Sequence, residues 1–426
     1  VMNNRRERLV YSVESADLPL TEDGAQSFVQ DLHAPIDCSF QTAGAFNVLD
    51  AMRLGFQAVA EHLEAQPRLL TVFWSLGNPE GAYFDRSGAD LDGDGAAGDP
   101  FIQLRGGAVI PGCHNSDQFD DSVILHEFGH YLAFIHSRDD SPGGPHSIAE
   151  LLDPRLAWSE GWADFVSGLV RRNPLFVDTL EDLEACAGAC RVFDFSLEAK
   201  PASCSPARCC LGIGSEEAVG ALLWDLLDPA GETGDGVQLA QGDLLRALER
   251  LRGRRFVYVG DFIEELEEIA AGLNPPRDAA VRALAAREGM TGSGGGLVPF
   301  PSAFPTETRD GDRASAFAAG LVDGCGPDDC KSNVESFIGS SDFYEFQLPG
   351  SAPAAGRLRA ELTFTGGASE VCSRELELRI FNSSQSRLYA TSGRTGFPKS
   401  IEFPFDADFP RGSYVLVEVA GDLGDG

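Results

Sequence analysis

The chain has few basic residues, few histidines and no long apolar run. Its 33 Lys and Arg stand against 66 Asp and Glu, a formal net charge of −33 over 426 residues. Such a charge repels phosphate backbones and anionic lipids, so we expect neither a nucleic acid nor a membrane surface as partner. No apolar run approaches the roughly 20 residues that span a bilayer. Solubility and bound cations fit this charge better.

The first eight residues carry charges but no apolar segment behind them, which a signal peptide requires. We therefore expect a processed or trimmed form. The ten cysteines include close pairs in loop-like sequence, namely Cys186/Cys190, Cys204 with Cys209/Cys210, and Cys325/Cys330. An even number of loop cysteines favours disulfides and an oxidising compartment, which predicts a secreted, extracellular or periplasmic protein. A second metal site is the alternative use of these cysteines.

Two histidines and a glutamate form the pattern HExxH over His126–His130. Acidic residues precede this segment and apolar residues recur through it at helical spacing, which predicts a helix over 120–132. Residues four apart on a helix share a face, so His126 and His130 can bind one metal ion. Such a site suits zinc and leaves one position for water, whose proton Glu127 can accept. The motif predicts a zinc peptidase.

Two residues are candidates for the third zinc ligand. His136 completes the pattern HExxHxxAxxH, but Ala133 stands where the metzincin pattern has a helix-ending glycine. If the helix continues, His136 cannot reach the same ion, and we expect a solvated histidine at the helix end. Asp153-Pro154 predicts a second helix with Glu160 and Asp164 on one face. We favour Glu160 as the ligand and Asp164 as acceptor of a histidine N–H; an ordinary acidic helix face is the alternative.

HEFGH followed by ExxxD resembles the gluzincin group of zinc metallopeptidases, which is thermolysin-like in fold. Residues 159–165, Ser-Glu-Gly-Trp-Ala-Asp-Phe, are similar to the Glu-Gly-Trp-Ser-Asp-Phe segment of fungalysins. Residues 214–225 are loosely similar to a later fungalysin helix. The resemblance covers about residues 120–230. It implies that zinc is bound by His126, His130 and Glu160. By the same resemblance, Glu127 is the general base and Asp164 orients a ligand.

Gluzincins commonly add a histidine or tyrosine that stabilises the oxyanion of the tetrahedral intermediate. No histidine follows His146 in this chain, so Tyr258 in the segment 254–258 is the candidate. An ordinary tyrosine in an apolar strand explains the same segment.

The segment 90–99 repeats the first half of a calcium loop, with carboxylates at Asp90, Asp92, Asp94 and Asp99. Phe101 stands where an EF-hand needs a bidentate glutamate, so an EF-hand is excluded. Calcium in a simpler loop and a solvated Asp/Gly turn are the two alternatives.

Upstream of the HExxH segment, the pattern predicts a helix over 46–65 and strands over 69–74 and 101–105. Strands followed by helices are typical of the α+β class. By the resemblance, strand 101–105 lines the cleft and pairs with extended substrate. An interior strand is the alternative.

From about Gly289 the composition changes to Gly, Ser, Pro and Thr, which predicts a linker over 291–310. Apolar and polar residues then alternate over 358–364 and 376–380, which predicts an antiparallel β-sandwich. The segments 342–346 and 411–417 resemble the first and last strands of the bacterial pre-peptidase C-terminal domain, an accessory domain of secreted peptidases.

We therefore predict an α+β zincin-like domain over 1–290, with a small mixed sheet, the HExxH helix and a mainly helical second half. The linker 291–310 and an all-β sandwich over 311–426 follow. The predicted activity is zinc-dependent endopeptidase, with zinc as cofactor and calcium as a second candidate. The alternative from another class is a non-catalytic extracellular binding or adhesion protein on a peptidase-like fold.

Overall fold

The computed structural model describes residues 1–2, 7–13, 42–63, 70–89, 99–106, 117–141, 143, 146, 148, 152, 154–180, 191–198, 212–228, 236–254, 257–288, 290, 341–347, 357–362, 376–382, 387–391, 399–404 and 414–421. Within these ranges the chain is a mixture of helices and small sheets, which confirms the α+β class. All ten cysteines, the linker 291–310 and Asp90, Asp92 and Asp94 lie outside the described residues.

The chain forms two compact units. The first combines Val1–Ile135 with Ala163–Ser196, and the second combines His136–Trp162 with Leu197–Gly426. This division passes through a single continuous helix, Pro154–Arg171, which therefore contributes residues to both units. The domain boundaries drawn from composition stay predictions.

The first unit contains a three-stranded sheet in the order β1-β3-β2, from β1 Thr71–Phe73, β2 Tyr83–Ala89 and β3 Asp99–Gln103. The central strand β3 runs parallel to β1 and antiparallel to β2. Both of its edges are therefore already paired with neighbouring strands, and an extended substrate cannot add to it there. The interior-strand alternative is confirmed for residues 101–103, and the substrate-pairing expectation is wrong.

The helices of the first unit begin with α1, Thr42–Val59, which lies a few residues upstream of the predicted range. A short 3-10 helix, Asp117–Phe119, leads into α2, Asp121–His136, which carries the HExxH motif. The ring of Phe56 on α1 packs edge-on against Phe128 on α2, with ring centroids 4.9 Å apart. The antiparallel pair β4, Leu175–Leu180, and β5, Arg191–Ser196, completes the unit.

Helix α3, Pro154–Arg171, is buried along nearly its whole length, including every residue from 154 to 169. Pro154 is its first residue, a position that needs no N–H donor. Gly129 lets α2 and α3 approach closely, because a Cβ on Gly129 would lie 2.7 Å from the Cα of Ala163. Buried acids such as Glu160 and Asp164 are expensive unless they are paired. Their presence on this helix therefore indicates a site.

After Leu197, the described part of the second unit contains four further helices, in agreement with the predicted helical second half. They are α4 Glu216–Leu227, α5 Gln241–Arg250, α6 Val259–Ala271 and α7 Asp278–Arg287. Ser215 caps α4 by accepting a hydrogen bond from the N–H of Ala218. Trp158 stacks in tilted fashion on Phe262 with centroids 5.0 Å apart, so α3 and α6 share a core. Among the described helices, none has the length and apolar character needed to cross a membrane.

Six strands follow in the C-terminal part, all with antiparallel neighbours. They are β6 Ser341–Gln347, β7 Arg357–Leu362, β8 Leu376–Asn382, β9 Arg387–Thr391, β10 Lys399–Pro404 and β11 Tyr414–Gly421. A four-stranded sheet has the order β6-β11-β8-β9, and β10 pairs with β7. The strands expected from the alternating pattern are therefore confirmed, while their assembly into a sandwich stays a prediction.

Candidate functional site

Helix α2 turns His126 and His130 toward each other, as the four-residue spacing predicts. Their Nε2 atoms lie 3.2 Å apart, and the rings meet at 84° with centroids 4.8 Å apart. Both side chains are partly exposed. Phe176 of β4 lies edge-on to the ring of His126, with centroids 5.9 Å apart, and limits its rotation.

Helix α3 supplies the partner of His126. The Nδ1 of His126 lies 2.8 Å from Oδ1 of Asp164. A carboxylate only accepts, so the ring donates its Nδ1–H, and in the neutral imidazole Nε2 then carries a lone pair. The structure thus places Asp164 where the sequence predicts it, with its charge directed at the ring of a candidate ligand.

The short distance between the two Nε2 atoms bears on whether a metal ion fits between the rings. Two nitrogen lone pairs at 3.2 Å repel each other, and only a proton or a cation between them removes this repulsion. Glu160 belongs to the same group: one ligand atom from each of His126, His130 and Glu160 lies within 4.8 Å of the others. Two imidazoles and one carboxylate are a donor set that zinc prefers. We call these three residues the histidine cluster.

Glu127 follows His126 on α2, and its side chain is buried, with 5% of the residue exposed. Its charge contributes, after burial and the charges of Asp178 and Asp120, to the raised pKa of Asp117. Its place beside the histidine cluster is compatible with the predicted role of general base. That role stays a prediction.

His136 is the last residue of α2, which continues through Ala133 without a break. Its Nδ1 lies 3.8 Å from Oε1 of Glu249, and its carbonyl accepts a hydrogen bond from Arg252. The expectation of a solvated histidine is wrong, because His136 is only 3% exposed. Burial, followed by repulsion from Arg252, lowers the pKa of His136 to about 4. The group of candidate ligands contains Glu160 and not His136.

Tyr258 does not belong to a strand, so the alternative of an ordinary tyrosine in an apolar strand is wrong. It precedes α6 as the capping residue, where its backbone N–H donates to Oδ2 of Asp261. The residue is 1% exposed. Its role as oxyanion stabiliser stays a prediction. Of the proposed calcium loop only Asp99 is described, as the first residue of β3, and calcium there also stays a prediction.

The structure adds two acids and a histidine that the sequence did not single out together. The Nε2 of His146 lies 3.3 Å from Oε2 of Glu160 and 3.8 Å from Oε2 of Glu216. Glu216 is the first residue of α4, more than fifty positions along the chain from Glu160. No local spacing rule connects these three residues, so no sequence signal could have predicted that they come together.

A second group of carboxylates lies at the start of α2. Asp117, Asp120 and Asp178 each offer an oxygen within 4.8 Å of the others, and we call them the aspartate cluster. Oδ2 of Asp117 accepts the N–H of Arg105 at 2.6 Å. Oδ2 of Asp120 accepts both the N–H and the hydroxyl of Thr179. As capping-type residues Asp117 and Asp120 mark a helix start, but nothing in the sequence connects them with Asp178 on β4.

The pKa values of all three carboxyl groups in the aspartate cluster are raised. Burial raises the pKa of Asp117 to about 7, with repulsion from Asp178 and Asp120 adding to it. Burial and then the charge of Asp120 raise the pKa of Asp178 to about 6. Burial also raises the pKa of Asp120. Near neutral pH Asp117 is therefore partly protonated.

A family model described as the Mycolysin C-terminal domain matches residues 57–238, which is less than half of the chain. No curated protein compared with this chain matches it. The matched segment contains α2, α3, α4 and every residue of the histidine cluster. It fits a peptidase of mycolysin type at the level of that segment.

Proposed function

We propose that this chain is a secreted zinc-dependent endopeptidase of the gluzincin type. The observation that carries the proposal is the histidine cluster, in which two facing imidazoles and a buried carboxylate come within ligand distance while Asp164 fixes one imidazole. The match to a mycolysin domain over the same residues supports it.

His126, His130 and Glu160 would hold the metal. When bound there, zinc polarises a carbonyl group and lowers the pKa of water. Asp164 keeps His126 in the tautomer whose Nε2 has a free electron pair and makes the ring more basic. Glu127 accepts the proton of the attacking water and passes it to the leaving amine. Tyr258 stays the candidate for contact with the oxyanion.

The substrate class is protein or peptide. The acidic chain argues against nucleic acid and anionic membranes, and the loop cysteines support an oxidising compartment. Mycolysin-type proteins are extracellular, which is consistent with secretion of this chain.

The test is a Glu127→Gln variant assayed for cleavage of casein and for bound zinc. We expect zinc to stay bound and cleavage to fall by about 10²- to 10⁴-fold, the usual contribution of a general base. Glu61→Gln, at an exposed position after α1, is the matched control and should cleave normally. Undiminished cleavage by Glu127→Gln would reject Glu127 as the base. A zinc-loaded parent chain without any cleavage would favour the binding-protein alternative.

We also propose that the C-terminal strands form an accessory sandwich similar to the pre-peptidase C-terminal domain. The support is the antiparallel pairing of β6 with β11, the two strands that carry the resemblance. Limited proteolysis of the full chain tests this organisation. A first cut within 291–310 that releases a resistant C-terminal fragment is expected, and a first cut inside β6–β11 would contradict it.

A further inference from the structure

His146 lies between two buried carboxylates. Its Nε2 is 3.3 Å from Oε2 of Glu160 and 3.8 Å from Oε2 of Glu216; both are ion-pair distances, and only the first is short enough for a hydrogen bond. The two glutamate side chains are 9% and 6% exposed, whereas the imidazole is 30% exposed. The ring therefore reaches inward from a partly open position and places one nitrogen against both acids.

The packing of α3 on α4 explains why both carboxylates lie near the same nitrogen of His146. A Cβ on Gly161 would lie 2.6 Å from Cβ of Val219 and 2.8 Å from the carbonyl oxygen of Glu216. Only glycine permits this approach, and Glu160 is the residue next to it. The N–H of Leu152 donates to the carbonyl of Gly214 at 2.8 Å, which joins the segment before α3 to the segment before α4. The position of Glu216 beside Glu160 is thus fixed by backbone contacts.

Two carboxylates in a buried setting repel each other, and an N–H directed at both relieves this repulsion. We propose that His146 is a positioning residue for the metal ligand Glu160. Its Nε2–H donates to Oε2 of Glu160, which directs the other carboxylate oxygen toward the histidine cluster. Glu216 attracts the same nitrogen of His146 from 3.8 Å and helps to hold the ring in place. This inference rests on the proposed zinc site, and it adds an outer partner for the carboxylate ligand just as Asp164 is the outer partner of His126.

The experiment measures zinc affinity in the full chain by competition with a chromophoric chelator, for His146→Leu and His146→Gln. Outer partners of metal ligands typically contribute about 10- to 100-fold in affinity. We expect a loss in this range for His146→Leu. Glutamine keeps an N–H donor on a side chain of similar reach, so we expect His146→Gln to recover much of the affinity. A purely structural role would not distinguish the two variants in this way.

His62, in the turn after α1, provides the matched control. His62→Leu and His62→Gln should bind zinc as the parent chain does. Glu216→Gln is a second, milder variant and should weaken zinc binding in the same direction, because the ring of His146 then loses one charged neighbour. Circular dichroism of every variant establishes that its helices are intact.

X-ray absorption of the zinc-loaded chain separates a positioning residue from a ligand. We expect two imidazoles on zinc in the parent chain and the same two in His146→Gln. Three imidazoles in the parent and two in the variant would make His146 a ligand and overturn the inference, as would parental affinity in His146→Leu. A parent chain that binds zinc but cleaves nothing would reject the proposed peptidase and leave this inference standing. A parent chain that binds no zinc overturns both.

Discussion

The histidine cluster and the aspartate cluster both bring three ligand-type side chains within 4.8 Å, and both include residues at or on helix α2. They differ in charge. The histidine cluster has one carboxylate and two imidazoles, with Asp164 bound to one ring and His146 at the carboxylate. The aspartate cluster has three carboxyl groups in mostly buried positions, and their pKa values rise as a result.

The comparison shows that close packing has different effects on imidazole and carboxylate side chains. A neutral imidazole with its N–H paired still offers a lone pair, so the partly exposed rings of the histidine cluster have the donor atoms that a cation needs. Carboxylates buried together avoid repulsion by taking up protons. The same proximity therefore produces a metal-ligand geometry in one cluster and pH-dependent stability in the other.

The largest expected effect is on zinc binding when Glu160 is removed from the histidine cluster. Glu160→Ala should lose more than the roughly 100-fold affinity that an outer partner contributes, because a direct ligand is deleted. His136→Ala should leave zinc affinity unchanged, since His136 is buried against Glu249. Equilibrium dialysis with zinc measures both. The reverse ranking would make His136 the third ligand.

Asp164→Ala should weaken zinc binding by about 10- to 100-fold, because His126 then loses the acceptor that fixes its tautomer. Asp164→Asn keeps an acceptor oxygen without the charge and should have a smaller effect. Chelator competition gives both dissociation constants. Equal losses in the two variants would mean that the charge of Asp164, and not its acceptor oxygen, is what matters.

The close approach of α2 and α3 is needed by the histidine cluster and not by the aspartate cluster, which has no residue on α3. Gly129→Ala should reduce the free energy of unfolding by about 1–3 kcal/mol, because the new methyl group meets the backbone of Ala163. Gly81→Ala, where a Cβ meets nothing within 4 Å, is the matched control. Urea unfolding measures both. A stabilised Gly129→Ala variant would show that the helices separate without penalty.

The smallest expected effect concerns the aspartate cluster and depends on pH. The folded pKa of Asp178, about 6, lies above the ordinary value of 3.8, so the folded state binds more protons between these values. Its contribution to stability is then present at low pH and is lost as the pH rises through about 6.

Asp178→Asn removes the charge that appears in this window. We expect the variant to be more stable than the parent at pH 8, by on the order of 1 kcal/mol, and to lose this advantage toward pH 4. Urea unfolding at both pH values measures the difference, with Asp50→Asn on the exposed face of α1 as control. An advantage that is the same at both pH values would contradict the raised pKa.

The two helical pairs of the candidate site could be predicted because they obey helix geometry. His126 and His130 are four residues apart, as are Glu160 and Asp164, and the capping and proline signals placed both pairs on helices that the structure contains. The same signals could not tell how deep a helix lies. His136, at the end of α2, is therefore buried against Glu249 instead of solvated.

The strands over 358–362 and 376–380 were predictable from alternation, and those over 69–74 and 101–105 from their composition, but the neighbours of these strands were not. Nothing in residues 101–105 distinguishes an edge strand from a central one, because that depends on which other strands pair with it. The structure pairs β3 on both sides.

The sequence by itself determined the two helices of the site, several of the strands and the facing histidine pair, since these depend on residues only a few positions apart. Tertiary structure alone decided that Asp178 joins Asp117 and Asp120, and that His146 lies against both Glu160 and Glu216. The physical reason is that such contacts arise where separate elements pack, as at Gly161, and packing between distant segments leaves no periodic pattern in the chain.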